Sequence, residues 1–229
     1  MTTLIIATRN AHKVQEILAV LGSQFRYLSL QDFPEAPKVI EDQPNFPKNA
    51  AKKARELARW LQGISGFDYR VPGASAYVLA DDSGLEVDAL NGAPGVHSAR
   101  FAALDHAGAA PDENSADADN NAKLLRLLHD VPTERRTARF RCVLSLMQVK
   151  PPQPSFAGHL FDGTCEGRIG FEARGEAGFG YDPLFMPSGC EQSFAELGEE
   201  KKNAISHRAQ ALTKMRNAIV TLILGGKPF

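Results

Sequence analysis

The sequence predicts an α/β fold in which a long mixed central sheet is flanked by helices and the chain is divided into two lobes. Three observations carry this. An apolar strand pattern runs straight into a helical one at the N-terminus, a period-two run occupies the middle of the chain, and an amphipathic helical pattern closes it.

Residues 4–7 read as a short buried strand, followed by a polar turn at 8–13 and a helix with Val14, Ile17, Leu18 and Leu21 on one face. A second helix over 47–61 turns Ala50, Ala54, Leu57 and Leu61 inward and tolerates Pro47 in its first turn. Asn49 and Lys53, one turn apart, share a face of it. Residues 63–75 carry glycines and Pro72 with little periodicity and form a surface excursion before a strand over 76–80. A second polar stretch, 106–117, contains Pro111 and several acids that read as a solvated cap. It leads into a helix bearing Leu124, Leu125 and Leu128.

From Ala138 the period changes to two. Ala138, Phe140, Cys142, Leu144 and Leu146 alternate with Arg139, Arg141, Val143 and Ser145, which predicts a long strand with one polar face. After the proline-rich turn at 151–154, segments 155–161 and 164–171 continue an antiparallel or mixed sheet. A terminal helix over 204–224 places Leu212, Met215, Ile219 and Leu222 inward, and no internal repeat occurs.

With 229 residues and 43% hydrophobic content the chain can bury a substantial core. A net charge of −1 supplies no global field for nucleic acid or an anionic membrane, so any bound anion must be held locally. The three cysteines are widely spaced, which fits neither a zinc site nor a secreted disulfide scaffold. With no signal-peptide pattern and no apolar run near ~20 residues, the expected setting is the cytosol, away from any membrane.

Four segments can carry chemistry. Thr8, Arg9, Asn10, Ala11, His12 and Lys13 lie where a strand gives way to a helix, so backbone amides, the helix dipole and Lys13 can face a phosphate. An ordinary N-capped helix has the same pattern. Asp81-Asp82-Ser83-Gly84 follows the apolar strand and places two carboxylates at a strand end beside a glycine turn, where one of them can hold Mg²⁺. A purely structural Asp-rich turn would look alike. Glu41 or Asp42, just before the second helix, supplies a further acid. Phe179, Gly180, Tyr181 and Asp182 combine close backbone approach, a stacking face and an acceptor, as a purine base would need, though a tight turn with core aromatics fits too. Lys202, Ser206, His207 and Arg208 cluster at the start of the last predicted helix, where cations oppose the helix dipole and a bound anion would account for them, though a solvated charged face has the same pattern.

Together these segments resemble the inosine triphosphate pyrophosphatases, also called dITP/XTP or nonstandard purine NTP pyrophosphatases. The resemblance rests on LIIATRNAHKVQEI at 4–17, FPKNAAKKA at 46–54, LADDSGLEVDALNGAPGVHSARFA at 79–102, GFGYDPLF at 178–185 and KNAISHRAQAL at 202–212. It implies one pyrophosphatase domain over 1–229, elongated, with its two lobes around an active-site cleft, and a homodimer. It further implies Mg²⁺-dependent cleavage of ITP, dITP or XTP to the monophosphate and pyrophosphate, which removes them before incorporation into DNA or RNA. Residues 8–13 and Lys53 would bind the triphosphate. Asp82 would be the catalytic and metal-binding acid with Glu41 as partner, and Ser83 would touch the substrate. Phe179, Gly180, Tyr181 and Asp182 would hold the base, with Lys202, His207 and Arg208 contacting base and phosphates.

Two features depart from the family pattern. Arg9 stands where glycine is common, either to bind phosphate or to point outward, and 41–45 replaces the usual acid, threonine, glycine sequence, leaving Glu41 and Asp42 both open as the second acid. The stretches 63–75 and 106–117 look like insertions. A pyrophosphatase for modified pyrimidines and a nucleotide-binding protein without turnover are the competing readings. Phe179 with His207 and Arg208 speaks against the first, and Asp82 with Lys13 and Lys53 against the second.

Overall fold

The computed structural model describes residues 2–65, 67, 71, 76–105, 113–149 and 158–224, the last five as backbone only. Its elements are β1 (Thr3–Ile6), α1 (Ala11–Leu21), β2 (Arg26–Ser29), α2 (Phe46–Gly63), β3 (Ala76–Val87), α3 (Asp117–Leu127), β4 (Thr137–Gln148), β5 (His159–Ile169), β6 (Phe185–Pro187), α4 (Phe194–Ile205) and α5 (His207–Leu224). Short 3-10 turns lie between β3 and α3. Among the described residues the strands form one mixed sheet in the order β2-β1-β3-β4-β5-β6, with β1 parallel to β2 and β3, and β5 antiparallel to β6. The chain divides into two compact units. The first comprises Met1–Asp82, Val143–Asp162 and Ala211–Phe229, and the second Ser83–Cys142 and Gly163–Gln210.

In the first unit β1, α1 and β2 form a parallel crossover, and α2 returns the chain past β1 to β3. The connections of β1 and β3 therefore leave in opposite directions, and the carboxyl ends of two such strands are where α/β sheets bind ligands. Asn45 caps α2 by accepting from the Lys48 amide at 3.0 Å, and Pro47 sits in the first turn, as expected. Leu57 and Leu61 face Ile5, Val78 and Ala80 in the core, each such leucine contributing about 2 kcal/mol.

The core of the second unit joins Leu85, Leu124, Ala138, Phe140, Phe185 and Phe194. Phe140 packs edge-on to Phe185, with ring centroids 4.7 Å apart. Arg136, fully buried, ends α3 by donating to the Leu128 carbonyl at 2.6 Å, and reaches the Gly170 carbonyl as well.

Several expectations change. The DDSG segment is no turn, because β3 continues through it to Val87 with most residues buried on both faces, which gives the glycine no bend to make. β4 has a polar face only at its start, and from Cys142 to Met147 both faces are covered. The strands expected over 155–161 and 164–171 are one strand, β5, with 155–157 outside the described residues. The terminal helix is two helices. Ser206 is extended (φ −66°, ψ 158°), its amide closes α4 on the Lys202 carbonyl, and its Oγ accepts from the Ala209 amide at 3.2 Å to start α5. Lys202 therefore ends α4 instead of opening the last helix. Leu212, Met215 and Ile219 are buried as expected, the Leu222 side chain is outside the described residues, and so are Pro72, Pro111 and most of both excursions.

Candidate active site

The register of β1 on β3 places Ile6 beside Leu79, and the Ala7 amide donates to the Leu79 carbonyl at 2.8 Å. Asp81 and Asp82 consequently lie just beyond the end of β1, next to the 8–13 loop. Asn10 caps α1 by accepting from the Lys13 amide at 3.2 Å, and Thr8 Oγ1 accepts from the Asn10 amide at 3.1 Å. Arg9, Asn10, Ala11 and His12 are exposed around this helix N-terminus. The Arg9 guanidinium donates to the Ala36 carbonyl at 2.8 Å, so it is tied to the loop after β2. Lys13 instead reaches across and pairs with Asp81.

Lys53 organises the acids. Its ammonium group lies 2.7 Å from the Asp81 carbonyl oxygen, 3.2 Å from Asp82 Oδ1 and 3.1 Å from Glu41 Oε1. Burial alone would lower its pKa, but Asp82, Glu41 and Asp81 outweigh burial and raise it, so the group stays charged. Burial acts on Asp82 in the opposite sense, and with Glu41 beside it the carboxyl is pushed up to about 7 against the pull of Lys53. Burial opposes ionisation of Glu41 too, yet Lys53 prevails and holds it below the usual range. With all three acids ionised, three carboxylates face the two ammonium groups of Lys13 and Lys53, an excess of one negative charge. Asp82 Oδ2 is buried and meets no hydrogen-bond donor among the described residues.

The same geometry separates Glu41 from Asp42. Asp42 is exposed and pairs with Lys52 at 2.8 Å, and the Lys52 ammonium also donates to the Ile40 carbonyl at 2.9 Å. Hydrogen bonds from Lys52 and Gln43 hold the Asp42 carboxyl below its ordinary range. Asn49, fully buried on the face it shares with Lys53, accepts from the Gln43 amide at 2.9 Å and fixes the loop. Glu41 is thereby the acid that turns toward Asp82.

In the second unit, Gly178, at φ 81°, opens a turn that wraps around Asp182: a Cβ there would lie 2.2 Å from Asp182 Oδ2. That oxygen accepts from the Phe179 amide at 2.9 Å and pairs with Lys202. The Lys202 ammonium stands 4.6 Å from the centre of the Phe179 ring, and the Arg208 guanidinium stands 5.8 Å from it. Arg208 also donates to Ser83 Oγ at 2.8 Å. His207 stacks on Phe140, centroids 4.8 Å apart and planes at 12°. Tyr181 turns into the core, where its hydroxyl donates to the Ser98 carbonyl at 2.9 Å, and burial raises its pKa.

Residues 4–218 match the Ham1 family. The chain belongs to the Ham1 family. A protein of Exiguobacterium sibiricum named dITP/XTP pyrophosphatase is 46% identical, covering 96% of this chain and 98% of its own. One of Geobacter sulfurreducens with the same name is 45% identical over 95% of this chain and 96% of its own. Among solved structures, a HAM1 protein from Coxiella burnetii superposes with a TM-score of 0.75 at 33% identity, covering 96% of this chain and 99% of that one. The Staphylococcus aureus Ham1 protein gives 0.74 at 32% identity, with 95% and 98% covered.

In this Ham1 chain two groups of sequence-predicted residues assemble. Lys13, Glu41, Lys53 and Asp82 form one, while Ser83, Phe179, Asp182, Lys202 and Arg208 form the other. Asp82 ends the first unit and Ser83 opens the second. Sequence reasoning gave Asp81 no partner and gave Asn49 a face but no role. It also did not find Phe140 beneath His207. Their signals were the paired acids, the one-turn spacing to Lys53 and the inward phase of β4.

Proposed function

We infer that this chain hydrolyses nonstandard purine nucleoside triphosphates, namely ITP, dITP and XTP, to the nucleoside monophosphate and pyrophosphate, clearing them from the nucleotide pool. The observation that carries the chemistry is the buried Asp82 carboxylate, one oxygen of which meets no donor among the described residues, set against Glu41 and flanked by Lys13 and Lys53. The names of the curated relatives support the substrate class.

This acid pair suits Mg²⁺, which takes oxygen ligands, is commonly held by one or two carboxylates and keeps waters and substrate phosphates in its remaining positions. Asp82 and Glu41, the two acids beside Lys53, are the residues that would hold it, and no cluster of three or more metal-ligating side chains occurs among the described residues. Bound there, Mg²⁺ supplies positive charge against the phosphate oxygens. The amides at the start of α1, with Thr8 and Asn10, orient the triphosphate. Asp82, beside the site of attack, orients the water that attacks the α-phosphorus and takes its proton. Lys13 and Lys53 offset the charge that grows on departing pyrophosphate, and no covalent intermediate forms.

Base recognition falls to Phe179 as stacking face and to Lys202, His207 and Arg208 as donors. Hypoxanthine and xanthine present a carbonyl oxygen at the six position and adenine an amino group, so a buried donor left unpaired by adenine discriminates by ~1 to 3 kcal/mol. Residues 1–229 act as one pyrophosphatase domain, in a homodimer and in the cytosol. Among the described residues no helix is long and apolar enough to cross a membrane.

The test offers purified protein and Mg²⁺ dITP, ITP, XTP, GTP and ATP, with pyrophosphate and orthophosphate measured separately. Pyrophosphate from dITP, ITP and XTP, with ATP turned over far more slowly, is the expected result. Equal rates with ATP would overturn the selectivity.

A further inference from the structure

The Phe179 loop is held from a direction that the function above does not use. Asp117 and Asn121 lie one turn apart at the start of α3, and both close on Gly180. The Gly180 amide donates to Asp117 Oδ2 at 2.6 Å, and its carbonyl accepts from Asn121 Nδ2 at 3.0 Å. Gly180 has φ 62°, in the left-handed region that glycine populates about as readily as negative φ, so these two bonds select its peptide orientation. The residue before it is Phe179, whose ring faces Lys202 and Arg208.

The helix is itself anchored. Asn120 accepts from the Ala102 amide at 2.8 Å, and Lys123 donates to the Phe101 carbonyl at 2.7 Å and pairs with Asp105 at 2.7 Å. Tyr181 returns to the same segment through Ser98, whose Oγ accepts from the Leu85 amide of β3 at 2.9 Å. The Asn121 side chain shows an imbalance. Its Nδ2 is spent on Gly180, while its buried Oδ1 meets no donor among the described residues. A buried acceptor without a donor destabilises the fold, so packing alone does not account for an amide at this position.

We propose that Asp117 and Asn121 are positioning residues for base recognition, clamping the Gly180 peptide so that the Phe179 ring is preset to stack on the purine. The proposal rests on the assignment of Phe179 to the base. Loss of the clamp frees the ring, so affinity and selectivity for the base fall while the phosphate chemistry of Asp82 and Lys53 continues.

The test compares the full-length protein with Asn121→Leu, Asp117→Leu and Asp117→Asn, measuring kcat and KM for dITP and dATP together with Tm. Asn121→Leu removes the unpaired oxygen, so its Tm holds or rises, yet its KM for dITP increases about tenfold with kcat within about twofold. Asp117→Leu behaves likewise in KM. Asp117→Asn keeps an acceptor for the Gly180 amide and restores KM to within about twofold of the parent. A folded Asn121→Leu protein with unchanged KM and unchanged dITP over dATP preference overturns the clamp. A parent protein with no such preference overturns the base assignment instead, so the two failures are distinguishable.

Discussion

The two halves of the candidate machinery differ in how their buried charges are held. Among the described residues, three acids meet two lysines around Lys53, and Asp82 Oδ2 meets no donor. Around Phe179 the buried polar groups bond to one another: Lys202 pairs with Asp182, which also receives the Phe179 amide, and Arg208 donates to Ser83. A deficit of positive charge is what a cation-assisted phosphate site needs. An aromatic site whose polar groups are already bonded is ordered before its ligand arrives and spends little on ordering. On the proposed function the first half carries the chemistry and the second recognises the base.

If so, substitutions in the two halves fail in different ways. Asp82→Asn should produce the largest effect, a loss of about 10² to 10⁴ in kcat with dITP, read in a pyrophosphate-release assay, while Tm holds because a buried ionisable group is lost. Lys53→Met leaves Asp82 and Glu41 facing each other without their common ammonium group. Denaturant unfolding should show a loss of about 3 kcal/mol, and turnover should fall as well. Lys202→Met strands the Asp182 carboxylate in the second unit. It should raise KM for dITP more than it lowers kcat, the reverse of Asp82→Asn, and an unchanged KM would break the division drawn here.

The pair Glu41→Gln and Asp42→Asn sharpens the comparison within the first half. Glu41→Gln should depress turnover and raise the Mg²⁺ concentration needed for half-maximal rate, whereas Asp42→Asn should leave kcat as it was, because Asp42 spends its carboxyl on Lys52 at the surface. Tyr181→Phe should give the smallest effect, a loss of about 1 kcal/mol in thermal unfolding, since it removes one hydroxyl bond to the Ser98 carbonyl.

The parts legible in the sequence were those with a period or a cap. The face shared by Asn49 and Lys53 follows from helical spacing, and the loop at 8–13 from a strand that ends where Asn10 can cap a helix. The choice of Glu41 over Asp42 was not legible, because an irregular loop has no period and its direction is set by Asn49 and Lys52 from another element. DDSG read as a turn because glycine and aspartate favour one locally, and burial on both faces of β3 overrides that preference. The helix Phe194–Ile205 was missed although Ser193 and Glu196 form a capping box, because Gly198 at φ 78° interrupts its apolar period. The bonds from Asp117 and Asn121 to Gly180 join residues about sixty apart, beyond any local pattern.

The central claim is that water, activated beside Asp82, attacks the α-phosphorus of a nonstandard purine triphosphate. It is tested most directly by turning over dITP with Mg²⁺ in isotopically labelled water and weighing both products. The label should enter the monophosphate and be absent from pyrophosphate. Label in pyrophosphate, or orthophosphate as the first product, would contradict the account.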